Sequence, residues 1–127
     1  MKIARMQFTK LIPNIFYSDI NVGLQLFVDT LGFAVAYRDD NAEQPFIIIK
    51  RDTLVIHLVE SHEWAIKDRP QIRLETDDIE TAYAQAKAAH PELLHPNLPD
   101  VRLQPWGAME FALRDSEEVC VIVQQPA

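Results

Sequence analysis

The first helical pattern lies between Ser18 and Gly32. One apolar stripe has the spacing of an amphipathic helix and consists of Ile20, Leu24, Phe27, Val28 and Leu31. Ser18 and Asp19 precede it with short polar side chains that can cap free amides. Gly32 follows the stripe at the position where a helix commonly ends with a glycine in the left-handed conformation. The pattern therefore predicts one helix that begins at Ser18-Asp19 and ends at Gly32.

A second helical pattern follows Asp77-Asp78. Its weakly apolar face is formed by Ile79, Ala82, Tyr83, Ala86 and Ala89. Glu80 stands three residues after Asp77, which is typical of a capping box, and Pro91 stops the helix. We predict a helix between these signals.

Alternating apolar and polar positions predict strands in the rest of the chain. The predicted strands are Phe8–Tyr17, Phe33–Arg38, Phe46–Arg51, Thr53–Glu60, Gln71–Thr76, Val101–Gln104, Met109–Arg114 and Val119–Gln124. Pro13 indicates that the first of them is an edge strand or irregular. Loops are expected at Ser61–Pro70 and His95–Asp100.

The order of elements repeats as β-α-β-β-β, once at about 8–60 and once at about 71–125, within the single domain 1–127. Neither half can bury both its helix stripe and its strand faces alone. We therefore predict an α+β protein in which two βαβββ modules form a curved sheet. The helices would cover the convex face, and the concave face would form a groove.

Composition narrows the function. The 127 residues include 12 Lys and Arg against 19 Asp and Glu, a formal charge of −7, which disfavours a nucleic-acid partner. The single cysteine, Cys120, excludes an internal disulfide and a cysteine-based zinc cluster. The apolar runs are too short to span a membrane, and the first residues lack the apolar core of a signal peptide. We expect a soluble cytoplasmic protein.

Two segments carry a resemblance to a known family. Leu11–Ile20, with Leu31-Gly-Phe33, and Gln104-Pro-Trp-Gly107, followed by Glu110–Asp115, resemble the two half-signatures of the vicinal oxygen chelate superfamily. That superfamily comprises glyoxalases, dioxygenases and bleomycin-resistance proteins. The second segment is most similar to the bleomycin-resistance proteins. The resemblance implies the glyoxalase/bleomycin-resistance fold.

The metal-ligand positions of the superfamily fall here on Ile12, His57, Gln71 and Ile122. Two of these side chains have no donor atom and Gln71 is a weak neutral donor, so no metal site, no cofactor and no catalytic residue is predicted. The alternative is a metal-dependent or atypical glyoxalase- or dioxygenase-like enzyme acting on a small metabolite. Such a site would use His57, Gln71 and Glu110.

The resemblance implies a homodimer that binds a small molecule, such as bleomycin, in an interfacial groove and protects by sequestering it. Groove residues match Tyr37, Phe46 and Trp106. A flat ring such as Trp106 can stack on a planar ligand. For all three aromatic residues, core packing is the alternative. A non-binding interaction module remains a further hypothesis.

Three polar residues complete the predicted ligand-binding set. His57 alternates with two valines towards the groove and is either a ligand contact or a hydrogen-bonded filler. Arg73, in the polar alternation of its strand, suits a ligand carboxylate or phosphate, or else an internal ion pair with Glu75, Glu110 or another neighbour. Glu110 is either a groove acceptor or a support for an arginine.

The sequence context of two further side chains also predicts where they lie. Trp64 is predicted to form a lid or a dimer contact, with chance exposure as the alternative. Cys120, which alternates with Ile122, is predicted to be a small buried core residue without a nucleophilic role.

Overall fold

The computed structural model describes residues 7–127, which form eight strands and short helical segments. The strands are β1 (Asn14–Tyr17), β2 (Ala34–Asp39), β3 (Phe46–Arg51), β4 (Leu54–Glu60), β5 (Gln71–Glu75), β6 (Arg102–Leu103), β7 (Met109–Arg114) and β8 (Cys120–Gln125). The α-helices are α1 (Ile20–Leu24), α2 (His62–Ala65) and α3 (Ile79–Ala89). A π-helical segment (Gln25–Thr30) follows α1, and a 3₁₀ turn (Pro91–Leu93) follows α3.

The strands form two four-stranded sheets with matching topology. The first has the order β1-β4-β3-β2 and the second the order β5-β8-β7-β6. In each sheet the first strand of the module pairs in parallel with the last, and the other pairs are antiparallel. The predicted α+β fold of two βαβββ modules is confirmed. Hydrogen bonding divides the strands into one sheet per module.

One face of each sheet packs into a shared apolar core. From the first module the core takes alternate strand residues such as Ile15 and Ile47, together with Phe27 of the π-helical segment. From the second it takes Phe111 and Val121. Because successive strand residues point to opposite faces, the intervening side chains lie on the other face of each sheet. That other face carries most of the predicted ligand-binding residues.

The first predicted helix changes its winding partway along. Asp19 caps α1 by accepting a hydrogen bond from the Asn21 amide. From Gln25 the chain widens into the π-helical segment, where the Thr30 hydroxyl donates to the Gln25 carbonyl at 2.8 Å. The sequence predicted a uniform helix here. A single π turn displaces the apolar stripe by only one residue, so the spacing of apolar residues does not reveal it. Gly32 follows with φ +75°, as a left-handed position requires.

The second predicted helix begins one residue later than its capping-box pattern indicated. The N-cap is Asp78, whose carboxylate accepts from the Thr81 amide at 3.2 Å and the Thr81 hydroxyl at 2.7 Å. These hydrogen bonds hold the pKa of Asp78 below its usual value. The predicted pairing of Asp77 with Glu80 is therefore wrong, although the end of the helix before Pro91 is confirmed.

Three predictions differ from the structure by more than one residue at an element's end. The strand predicted from Phe8 begins only at Asn14, and the strand predicted at Val101–Gln104 shortens to β6. A four-residue helix, α2, lies in the predicted loop after β4, where the Ser61 side chain accepts from the Trp64 amide at 3.4 Å. Segments this short carry too few residues for a periodic signal.

Candidate functional site

The face of the first sheet opposite the core carries a row of three rings. Tyr37 on β2, Phe46 on β3 and His57 on β4 follow one another with centroid distances of 5.6 and 6.4 Å. Ile48 pairs with both Tyr37 and His57, so the strand register puts all three rings on one face. We call Tyr37, Phe46 and His57 the aromatic row. Core packing, the alternative for Tyr37, is wrong because half of this residue (50%) is exposed.

The aromatic surface extends beyond the row to Phe16 and Trp64. Phe16 and Phe46 both pair with Val59 and therefore share the face of the row. The ring of Trp64 lies 6.2 Å from that of Phe16, and the Lys67 ammonium lies 4.8 Å from the Trp64 ring centroid. Sequence reasoning missed Phe16, although its alternation with the buried Ile15 and Tyr17 could have revealed it.

The corresponding face of the second sheet is polar. Arg73 on β5 donates through Nη1 to Glu110 on β7 at 2.8 Å and to Gln124 on β8 at 2.9 Å. Gln124 in turn donates to Glu75 at 3.3 Å. The Glu110 side chain is only 4% exposed, whereas that of Arg73 is 47% exposed. The hypothesis of an internal ion pair with Glu110 is therefore confirmed, and the guanidinium offsets a buried carboxylate.

A cleft of about 490 Å³ opens in front of this polar face. Its lining includes Gln71, Asn97, Glu110 and the imidazole of His95. Partial burial and the nearby Arg114 charge lower the pKa of His95. The ring is consequently neutral near pH 7, and its Nδ1 accepts the Asn97 amide at 3.0 Å. This cleft offers hydrogen-bonding groups to a ligand.

Cys120 lies in this cleft and not in the core. The residue is half-buried and lines the cleft beside Gln71. The prediction of a core position is wrong because the register Gln71–Cys120 puts the thiol on the polar face of the sheet.

Burial raises the pKa of the Cys120 thiol, with the carboxylates of Asp115 and Glu118 adding to the shift and Arg114 opposing it. Since the thiolate is the nucleophile, native Cys120 is expected to react with iodoacetamide at pH 7.5 several-fold more slowly than after unfolding in urea. Mass spectrometry of timed samples measures both rates, with free cysteine in the same buffers as the control. Equal alkylation rates in the native and the unfolded protein would contradict a raised pKa of the Cys120 thiol.

Trp106 lies apart from the aromatic row. It occupies the turn after β6, which is closed by a 2.9 Å hydrogen bond from the Gly107 amide to the Gln104 carbonyl. Trp106 is 63% exposed, so core packing is wrong for this ring as well. The predicted ligand-binding residues thus divide into the row on the first sheet, the pair Arg73 and Glu110 on the second, and one exposed tryptophan.

The positions that correspond to metal ligands in the superfamily were also located. Ile12 is exposed and precedes β1, and Ile122 is buried on β8. Gln71 is the first residue of β5 in the second sheet, whereas His57 lies on β4 in the first. Within residues 7–127 no group of three or more His, Cys, Asp or Glu side chains is arranged to hold a metal ion. In the same part of the chain, no helix has the length and apolar character needed to cross a membrane.

Comparison with known proteins gives structural matches only. No family model matches the chain, and no curated protein sequence does. A bleomycin-binding protein solved with bleomycin is 22% identical with a TM-score of 0.71, covering 94% of this chain and 100% of its own. The bleomycin-binding protein of Streptomyces verticillus, solved with copper(II)-bleomycin, is 21% identical with a TM-score of 0.72, covering 97% and 99%.

A glyoxalase family protein from Enterococcus faecalis is also similar, at 13% identity and a TM-score of 0.68 over 93% of this chain and 96% of its own. These matches span both chains nearly end to end, and they agree with the resemblance of the sequence. This chain therefore has the fold found in the bleomycin-binding proteins and in the glyoxalase family protein.

Proposed function

We propose that this protein binds and sequesters a small molecule with a planar, unsaturated group, as an antibiotic-binding protein does. The aromatic row carries the proposal. Three neighbouring rings that face away from the core form a largely apolar surface on which a flat ligand can lie. The ligand binds without a resident metal ion, and no bond of the ligand is broken.

The second sheet supplies the polar part of the proposed groove. Arg73, Glu110 and the exposed Trp106 belong to one module, and the aromatic row belongs to the other. A homodimer brings the row of one subunit opposite the polar face of its partner, which closes a groove that one subunit leaves open. Structural similarity to proteins solved with bound bleomycin supports a groove that takes a small molecule. The proposed place of action is the cytoplasm, where a sequestering protein shields intracellular targets.

Replacing Tyr37 with alanine is expected to weaken ligand binding about tenfold, since stacking contributes about 0.5–1.5 kcal/mol in addition to the free energy of the apolar area that the ring buries. Isothermal titration calorimetry with metal-free bleomycin, in buffer with EDTA, measures the affinity. Phe46→Ala should have a similar effect.

The matched control is Ile66→Ala, which removes an apolar side chain outside the row that is 66% exposed, against 50% for Tyr37. Unchanged affinity in both ring variants would contradict a site on the aromatic row. If bleomycin releases no heat at high micromolar concentration, bleomycin itself is eliminated. The same titration then continues with other planar antibiotics.

A further inference from the structure

A second, larger cleft lies where the two modules meet. It has a volume of about 880 Å³, within the range of ligand sites, and is lined by the segment before β1, the start of β4 and β5. Its walls are largely apolar, with Leu54 and Ile72 among them. Leu54 is 43% exposed and Leu11, at the rim, is 88% exposed. Apolar side chains left open to water in this way favour an apolar occupant.

Two cationic side chains line the same cleft. Arg73 uses only Nη1 for its bonds to Glu110 and Gln124. Within residues 7–127 its Nε and Nη2 have no hydrogen-bond partner, so these N–H groups remain for a ligand. Lys10 also lines the cleft. The one acid in the lining, Asp52, has its carboxylate 3.8 Å from Nε of Arg51.

Glu110 and Gln124 hold the guanidinium in place before any ligand arrives. Glu110 is almost fully buried and bonds Nη1 from one side, and Gln124 bonds the same nitrogen from β8. A guanidinium with a fixed plane binds a carboxylate through two parallel hydrogen bonds with little loss of side-chain entropy. The nearby acids Glu75 and Glu110 are themselves engaged with Gln124 and Arg73. The cleft thus combines apolar walls with an oriented cation.

We propose that the cleft between the modules binds an amphipathic carboxylate, a small molecule with an apolar body and one carboxylate group. The body lies against Leu54 and Ile72, and the carboxylate pairs with Nε and Nη2 of Arg73. Lys10 adds longer-range attraction. The apolar walls select against small polar anions. The two cationic side chains select against positively charged amphiphiles. This site shares Arg73 with the polar part of the proposed antibiotic groove, but it does not use the aromatic row.

Calorimetric titration with decanoate, below its micelle-forming concentration and at low salt, tests the proposal on the full chain. Decyltrimethylammonium, with a matching alkyl chain and opposite charge, is the comparison ligand. Decanoate is expected to bind at least tenfold more tightly than the cation, and its affinity should fall as salt is added. Equal affinities for the two amphiphiles would overturn the proposal. So would the absence of decanoate binding, including the case in which a second copy of the chain covers the cleft.

Variants locate the bound carboxylate. Arg73→Gln should weaken decanoate binding about tenfold, as expected for loss of a charge-assisted hydrogen bond. This change leaves the buried Glu110 carboxylate unpaired. The double variant Arg73→Gln with Glu110→Gln therefore removes both charges, and it should show the same loss of decanoate affinity without an unpaired buried charge. Lys10→Gln should weaken binding about twofold through the lost long-range attraction.

Tyr37→Ala separates this site from the proposed antibiotic site. It should leave decanoate affinity unchanged while it weakens binding of a planar ligand. Wild-type decanoate affinity in the folded double variant would overturn the proposal. Loss of decanoate binding in Tyr37→Ala would do so too, because it would place the amphiphile on the aromatic row.

Discussion

Asp115→Ala is expected to lower the free energy of unfolding by about 3 kcal/mol, the cost of removing the acceptor from several buried donors. The Asp115 residue is 4% exposed. Its carboxylate accepts from the Tyr17 hydroxyl at 2.6 Å, from the Glu117 amide at 2.9 Å and from the Val119 amide at 3.1 Å. Alanine leaves these donors without a partner in a space too small for full hydration.

These contacts join the two modules. Tyr17 ends β1, and Asp115 follows β7 at a separation of 98 residues. Next to them, the Glu117 carboxylate accepts from the amides of Ser18 and Asp19 at 2.7 and 2.9 Å. Burial and the neighbouring Asp115 carboxylate raise the pKa of Tyr17 far above its usual value, so its hydroxyl stays protonated and donates. Burial also raises the pKa of Asp115, although its hydrogen bonds oppose that shift.

Urea unfolding followed by circular dichroism measures the effect of Asp115→Ala. Tyr17→Phe removes one donor and keeps the acceptor, so a smaller loss of about 1 kcal/mol is expected. Ser116→Ala, at an exposed neighbouring position, is the matched control and should change stability by less than about 0.5 kcal/mol. If Asp115→Ala and the control have the same free energy of unfolding, the buried hydrogen bonds of Asp115 make no net contribution to stability.

Gly23→Ala is expected to destabilise the protein by about 2 kcal/mol, although helix propensity alone would predict that alanine stabilises it. Alanine in a helix interior is favoured over glycine by about 1 kcal/mol. A Cβ at position 23, however, would lie 2.5 Å from Cε2 and 2.9 Å from Cδ2 of the Tyr17 ring. That ring is fully buried and its hydroxyl is bonded to Asp115, so it cannot swing aside. Overpacking of up to about 3 kcal/mol therefore exceeds the helical gain.

Thermal and urea unfolding of Gly23→Ala check the sign of this effect. The control is the same substitution in a Tyr17→Leu background, where the shorter side chain leaves room for a Cβ. There Gly23→Ala should become neutral or stabilising by up to about 1 kcal/mol. A stabilised single variant would mean that the ring moves at little cost, and the packing argument would fail.

The repeated fold could be predicted because its signal is local and periodic. The short apolar run that opens Phe46–Arg51 and the alternation along Met109–Arg114 identified strands whose bounds the structure reproduces. Each pattern needs only the polarity of residues a few positions apart. Where the pattern was short or the winding changed, prediction failed, as in α2 and in the π-helical segment.

The candidate site was predicted in part for the same reason. Alternation with valines put His57 on the face opposite the core, and the structure adds that its ring follows Phe46 at 6.4 Å. No local signal connected Arg73 to Gln124, 51 residues away, or showed that Phe16 extends the row. Those contacts depend on which strands become neighbours.

The sequence by itself determined the order of the eight strands and the two main helices, the polarity of the strand faces and the exclusion of cysteine-based sites, because each depends on nearby residues or on composition. Only the tertiary structure decided which alternative held for Arg73, by setting it 2.8 Å from Glu110. It also decided that Cys120 faces a cleft and that an added methyl at Gly23 meets the Tyr17 ring. The physical reason is that such energies depend on distances between atoms far apart in the chain, which local periodicity does not encode.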